Sequence, residues 1–292
     1  MRTLLFLLLA TTANAAPPEI FAPGVISGPA NDGSPTFSPD GNTLLFTRSA
    51  ARWSVILESH RDAKGVWSEP VVPSFSGEWP DSSPGFSPDG KFVVFVSTRR
   101  DGTTAKSNLY KATRTATGWS APERLPDAVN IGPSIWKPSI GTDGTIYFVA
   151  IDDKGGKRLW SAAKKGDAYQ AAQPLSFSDG KLGDVDPEIA PDNSFLVFSS
   201  SGRTKDDPKD HLFVVRKTKD GAWGPVTPVH YEGDDGSSTD QEPHLSQKKL
   251  YFASDRAAVV HFPRTHDQAV SDVKRLNAWD NSNLNVWVMP FS

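Results

Sequence analysis

Apolar residues along this chain fall in short alternating runs bounded by Gly, Pro, Asp and Ser, and no window carries a sustained helical period. A run such as Leu44, Leu45 and Phe46 follows a Pro-Asp-Gly tight turn, so strand, turn and strand make a hairpin. A second hairpin follows, with strands such as SNLYKATR from Ser107 and RLWSAAKK from Arg158. It ends in a Trp-led strand, as in GWSAP from Gly118 and AWGPV from Ala222. The repeating unit is therefore four strands, and the chain reads as all-β.

The unit recurs. It reads SPTFSPDGNTLLFTR from Ser34, SPGFSPDGKFVVFVSTR from Ser83, KPSIGTDGTIYFVA from Lys137, DPEIAPDNSFLVFSS from Asp186 and EPHLSQKKLYFASDR from Glu242. The anchor prolines Pro35, Pro84, Pro138, Pro187 and Pro243 are spaced by 49, 54, 49 and 56 residues, the length of one four-stranded propeller blade. One unit alone has two faces to bury, and radial stacking of five buries both. The last copy stops after its third strand at LNVWVMPF, while PEIFAPGVISGPANDGSP near the N-terminus looks like a fourth strand and its following loop. The N-terminal segment is expected to complete the last blade and close the ring.

Length and charge refine this picture. Arg2, the apolar run Leu4 to Ala10 and the small residues Ala13-Asn14-Ala15 form an export signal over residues 1–15, leaving 16–292 as the propeller. That apolar run is too short to span a bilayer, which takes about 20 residues. No cysteine is present, so neither disulfides nor a lipidated cysteine are expected. The formal net charge of -3 gives no basic face for nucleic acid or anionic lipid. The partners expected are a periplasmic or extracellular protein, peptide or glycan, with no nucleic acid and no membrane insertion.

The Ser-Pro-Asp-Gly turns and the following Phe-x-Ser-x-Arg pattern resemble the WD-like repeats of the TolB family of periplasmic propellers, over nearly all of residues 16–292. The resemblance implies the propeller fold and an exported location. It implies no particular activity, since such repeats occur both in scaffold proteins and as non-catalytic parts of enzymes. Five copies stand here where TolB has six blades, and TolB's additional N-terminal domain is not expected.

By alternation of strand direction, loops leading into each first strand share one face with loops joining strands two and three. Asp32, Asp81, Asp184 and Asp240 lie three residues before their anchor prolines, and Asp186 and Glu242 directly before theirs. Such a ring can bind a cation, a basic peptide or sugar hydroxyls. Equally, each aspartate can cap its own turn, or pair between blades with Arg99, Arg256, Arg48 and Arg203, which follow the second strands. Trp67, Trp119, Trp160, Trp223 and Trp287 fit the repeat as packing residues, whereas Trp79, Trp136 and Trp279 are off-pattern, in loops of the candidate face. The longest insertion, residues 257–282, carries His261, His266, Asp267 and Trp279 and is a candidate lid or partner loop. His261, His266 and Asp267 match no recognised metal set, and no cofactor motif occurs.

No nucleophile elbow, phosphate loop or zinc signature is present, so the leading reading is a binding or scaffold protein using this loop face. The enzymatic alternative is glycan cleavage by Asp81, Asp184 and Asp240, which requires two free carboxyls roughly 5 to 9 Å apart beside an open pocket. A third is a structural subunit whose outer blade edges pair with another chain.

Overall fold

The computed structural model describes residues 16–100, 106–205 and 207–291. The expected export signal lies outside them. The strands form five radially arranged blades. The first has Asn31–Phe37, Thr43–Ala50 and Trp53–His60, with isolated bridges from Glu58 to Val71 and Arg61 to Trp67 on its outer edge. The second has Asp81–Phe86, Phe92–Ser97 and Asn108–Thr115, edged by Gly118–Trp119 and Glu123–Arg124. The third runs Ser134–Ile140, Ile146–Ile151, Lys157–Ala162 and Gln173–Pro174, and the fourth Gly183–Ile189, Phe195–Ser201, His211–Lys217 and Trp223–Pro228. The fifth is composite: Asp240–Ser246, Lys249–Ser254 and Asn285–Pro290 take Glu19–Ile20 as their fourth strand.

Strand alternation supplies the core. Leu44 and Phe46 enter the seam with the fifth blade while Leu45, between them, enters the seam with the second. Each of the five seams holds its own cluster of buried apolar side chains. The off-blade ends of the ring meet at the fifth blade, where Glu19 pairs with Val288, Ile20 with Trp287, and Phe21 N–H donates to the Val286 carbonyl at 2.8 Å. Ile26 is fully buried in that seam.

Every inner strand carries the same irregularity. The residue before the anchor proline, Ser34, Ser83, Lys137, Asp186 or Glu242, has φ between 39° and 56°, and the pairing register slips there. A residue before proline prefers extended backbone, so this left-handed bulge is strained at each of its five occurrences. Hydrogen bonds between blades compensate. Phe86 N–H donates to Thr36 Oγ1 (3.2 Å), Ile189 N–H to Ser139 Oγ (3.1 Å), Leu245 N–H to Glu188 Oε1 (3.1 Å) and Phe37 N–H to His244 Nε2 (3.1 Å). Between the second and third blades the corresponding position is Gly85, where a Cβ would stand 2.7 Å from the Pro138 carbonyl oxygen, so the backbones themselves are in contact.

One element departs from the sequence expectation of a chain without helices. Residues His266–Ala278 of the long insertion form an α-helix, with Thr265 as N-cap and a reciprocal capping box with Gln268. The Thr265-x-x-Gln268 signal is present in the sequence, but it is a single short segment within a loop and raises no long helical period.

Because the N-terminal segment fills the closing seam, Ile26→Ala is expected to lower stability by about 2–5 kcal/mol in one cooperative transition. Deleting residues 17–28 should lower the midpoint of that same transition further. Calorimetry checks this; an early transition confined to part of the signal would show that the seam is an independent unit.

Candidate functional site

The ring has two faces. Inner strands begin on one, beside the loops from second to third strands, and end on the other at the Pro-Asp-Gly turns. Aspartates three residues before the anchor prolines stand on the first face, and each is closed by an arginine of its own blade. Asp32 pairs with Arg48 (2.6 Å), Asp81 with Arg99 (2.7 Å), Asp184 with Arg203 (2.7 Å) and Asp240 with Arg256 (2.7 Å). The expectation of pairing between blades is corrected by the register. Asp32 lies directly across from Arg48, while Ser97, Ser200 and Ser254 lie across from the other three aspartates and the arginine follows two or three residues later.

This clip accounts for the Phe-x-Ser-x-Arg pattern. Each guanidinium lies over the ring of its own second-strand phenylalanine, Phe46, Phe95, Phe198 or Phe252, at 5.2 to 5.6 Å. Three of them also donate to a loop carbonyl: Arg48 to Ile26, Arg99 to Phe75 and Arg203 to Phe177. Arg256 instead donates to the Tyr231 hydroxyl, which in turn donates to Asp240. The capping role is present as well, since Gly28 and Gly77 N–H groups donate to Asp32 and Asp81 at 2.8 and 3.2 Å. All four aspartates are buried. Burial pushes the Asp32 and Asp81 carboxyls up, against the pull of neighbouring hydrogen bonds and guanidinium groups. In the third blade Ile135 takes the aspartate position, and Arg158 donates to the Ser178 carbonyl at 2.5 Å.

The remaining expected site residues separate. Trp79 is 38% exposed in the loop before the second blade, on this clip face. Trp136, 37% exposed, is in the strand Ser134–Ile140 rather than a loop, with Lys157 Nζ 5.3 Å above its ring. Trp279 caps the C-terminus of the insertion helix and packs edge-on against Trp287 at 6.0 Å, which makes it a packing residue instead of a free platform. His261 is exposed, as are His266 and Asp267. Among the described residues no group of three or more His, Asp or Glu is placed to hold a metal ion. A groove of about 730 Å³ opens between the fourth and fifth blades, lined by Asp207, His211, His230 and Asp234 as well as by Arg203 and Asp240.

The insertion is held firmly at its base. Asp280 accepts from Ala258 N–H and from Arg275, and Arg264 and Arg275 both pair with Asp272. Asn281 and Asn283 donate to the Pro29 carbonyl, tying the strap to the first blade. Its helix buries none of its residues, and its apolar side turns outward: Val270, Val273 and Leu276 are 42%, 54% and 52% exposed, and Val259, Val260 and Phe262 earlier in the same insertion are exposed as well.

The sequence places Asp186 and Glu242 in a ring of carboxylates with the other four acidic positions; the structure groups these two instead with Lys137. Asp186 Oδ2 accepts from Glu242 N–H (3.2 Å), and Glu242 Oε2 from Ser34 N–H (2.7 Å). A Cβ on Gly33 would fall 2.1 Å from that oxygen, so a larger residue there would displace the Glu242 carboxylate. Lys137 completes the set from the corresponding position of the third blade. The signal was the residue type directly before each proline: Ser, Ser, Lys, Asp and Glu.

No protein-family model matches the sequence, and no curated protein matches it. Among solved structures the chain is similar to one described as a putative TolB from Agrobacterium tumefaciens, with TM-score 0.53 and 19% identity over 90% of this chain and 91% of that one. It is also similar to a glycosyl hydrolase from Bacteroides ovatus, with TM-score 0.54 and 12% identity over 96% and 95% of the two chains. TolB from Acinetobacter baumannii aligns over 89% of this chain with TM-score 0.46 and 12% identity, and this chain spans 54% of its length. At such identities the likeness establishes the fold, a β-propeller structurally related both to TolB-type and to glycosyl-hydrolase propellers.

Two outcomes follow. Asp81→Ala leaves Arg99 buried without its partner and is expected to cost about 3–5 kcal/mol; the double change Asp81→Leu with Arg99→Met should recover most of it in urea unfolding. Burial, together with Glu242 and Asp210 and against the pull of Lys137, raises the Asp186 carboxyl to about 7. Its proton is held more tightly folded than unfolded, so its contribution is full below the ordinary aspartate value and is lost as pH rises from there to about 7. Asp186→Asn is therefore expected to be more stable than the wild type near pH ~8, with the difference closing towards pH ~5; an advantage that stays constant with pH would contradict the assignment.

Proposed function

We propose that this protein is an exported propeller that binds another protein through its clip face, with the insertion helix of the fifth blade as the principal contact. The observation that carries this reading is that helix. Six large apolar side chains stand exposed on one insertion while its ion pairs brace it internally and Asn281 and the adjoining Asn283 tie it to the first blade. Soluble proteins keep contiguous apolar patches small unless a partner covers them. A surface fixed in advance loses little conformational freedom when it is covered. Trp79 and Trp136 extend the same face with half-exposed rings of the kind enriched at interface centres.

The clips speak against glycan cleavage at the clip-face aspartates. General acid or nucleophile chemistry requires a carboxyl free to meet the substrate, and these carboxylates are engaged by guanidinium, hydroxyl and backbone donors. The expected export signal at residues 1–15 and the likeness to TolB-type propellers support a periplasmic or extracellular location. Among the described residues no helix is long and apolar enough to cross a membrane.

Val273→Asp with Leu276→Asp is the direct test. Both positions are exposed, so folding stability should change by less than about 1 kcal/mol. A photo-crosslinker placed at Val270 in cells should give a discrete adduct with one protein, and the double substitution should abolish it. Adducts that are diffuse, or that persist in the variant, would refute the reading.

A further inference from the structure

The central channel opens between the Pro-Asp-Gly turns into a cavity of about 250 Å³, on the face opposite the clips and the insertion helix. Its rim and walls include Phe37, Phe86, Ile140, Ile189 and Leu245, with prolines Pro39, Pro88 and Pro191 at the turns. Lys137 lines it. This lysine is 1% exposed, and among the described residues its ammonium has neither a hydrogen bond nor an ion-pair partner within 4.0 Å. Asp186 and Glu188 act on it only through space. A charged side chain enclosed to that degree is normally paired, so one that lines a walled cavity and whose ammonium has no partner among the described residues marks a place where something else supplies the acceptor.

The hydrogen-bond capacity left over by the inter-blade stitches defines what that is. Thr36 Oγ1 and Ser139 Oγ each accept a backbone N–H from the next blade, and neither hydroxyl donates to a described residue. Their protons, with the three on Lys137, are donors available to a ligand. Glu188 uses Oε1 for His244 Nδ1–H (2.9 Å) and Leu245 N–H, leaving Oε2 as an acceptor. His244 is itself saturated: Nδ1 donates to Glu188 while Nε2 accepts from Phe37 N–H. Ser38 and Ser87 at the rim donate to Asp40 and Asp89 of their own turns.

Charge narrows the class further. An anionic ligand would add a negative group beside Glu188, and a cationic one would meet Lys137. A neutral molecule with several hydroxyls avoids both conflicts: each hydroxyl accepts from Lys137, Thr36 or Ser139 and still has a proton for Glu188. Its apolar ring face fits walls of Phe, Ile and Leu. At about 250 Å³ the cavity is slightly smaller than the usual ligand pocket of about 300 to 1,000 Å³, and so takes one ring rather than a chain of them.

We infer that the turn-face mouth of the channel binds a single neutral sugar ring, held by Lys137, Thr36 and Ser139 as donors and Glu188 as acceptor. This site is independent of the protein-binding reading of the opposite face.

Saturation-transfer NMR and calorimetry on the purified protein test it, with glucose, galactose and N-acetylglucosamine as neutral probes and glucuronate and glucosamine as their anionic and cationic counterparts. At least one neutral probe is expected to bind in the millimolar range or tighter. Lys137→Met, which keeps the length of the side chain without its charge, should weaken that binding about tenfold or more. Thr142→Trp, on the exposed rim, gives up one exposed side-chain bond from Asn193 of the next blade but keeps its backbone bond to that residue; it should obstruct entrance and do the same, and it carries the test if Lys137→Met does not fold. Val273→Asp with Leu276→Asp should leave sugar binding unchanged. Three results would overturn the inference: no binding of any neutral probe, tighter binding of glucuronate or glucosamine than of every neutral probe, or wild-type affinity in a folded Lys137→Met or Thr142→Trp protein.

Discussion

The structure depends on a left-handed backbone bend placed directly before each anchor proline. Left-handed backbone at a residue other than glycine is unfavourable by about 1–2 kcal/mol, and this ring adopts it at Ser34, Ser83, Lys137, Asp186 and Glu242. The bulge re-aims the inner strand so that the next side chain, Thr36, Ser139, Glu188 or His244, meets a backbone N–H of the neighbouring blade. A net gain of about 0.5–1.5 kcal/mol per such bond offsets the strain, and it does so only when the ring is closed, because donor and acceptor belong to different blades. Strain and compensation are therefore non-local, which makes each blade stable chiefly in the company of the next. The same bend lines the channel with the five residues it strains, so the chemistry of the axis is a by-product of how the ring is stitched.

The clips work at the other end of the inner strands. A buried Asp–Arg pair contributes little net stability compared with apolar residues of similar volume, but it is costly to break, and it is directional. In this chain the guanidinium spans three things: the aspartate that opens the inner strand, the ring of a second-strand phenylalanine and, in the first, second and fourth blades, the carbonyl of the lead-in loop. It fixes the angle at which the chain enters a blade. That the third blade manages with Ile135 in place of the aspartate shows the clip to be a device for orienting loops and not a condition for forming a blade. A ring of carboxylates on a concave face invites a functional interpretation, and the geometry assigns these to the fold.

How much of this was legible in the sequence follows from what repeats. Pro-Asp-Gly turns, alternating strands, five anchors and the N-terminal strand of the last blade were all readable, because each is a local pattern present several times. The clip was half legible: Asp and Arg were seen to share a face, but their partnership within one blade depends on a register in which Asp32 faces Arg48, and register is a property of pairing, not of spacing. The bulge was not legible, since a residue before proline is expected to be extended and only the crowding of five inner strands overrides that preference. Lys137 was overlooked for the same reason: nothing local distinguishes a lysine at the start of KPSIGTDG from a solvated one.

The insertion helix shows where a ring of this kind can accept an irregular element. Every blade must fit between two neighbours, so a segment added inside a seam would part them. The loop from the second to the third strand of the fifth blade instead leaves on the clip face, and its return is tied to the first blade by Asn281, Asn283 and the Leu284–Asn31 contact. The strap thus crosses outside the seam where the two ends of the chain meet, the place where closure rests on the short strand Glu19–Ile20. A ligand of the folded strap stabilises whatever the strap joins, by mass action. The proposed docking on this helix and closure of the ring would in this way be linked through a handful of hydrogen bonds to the lead-in loop of the first blade.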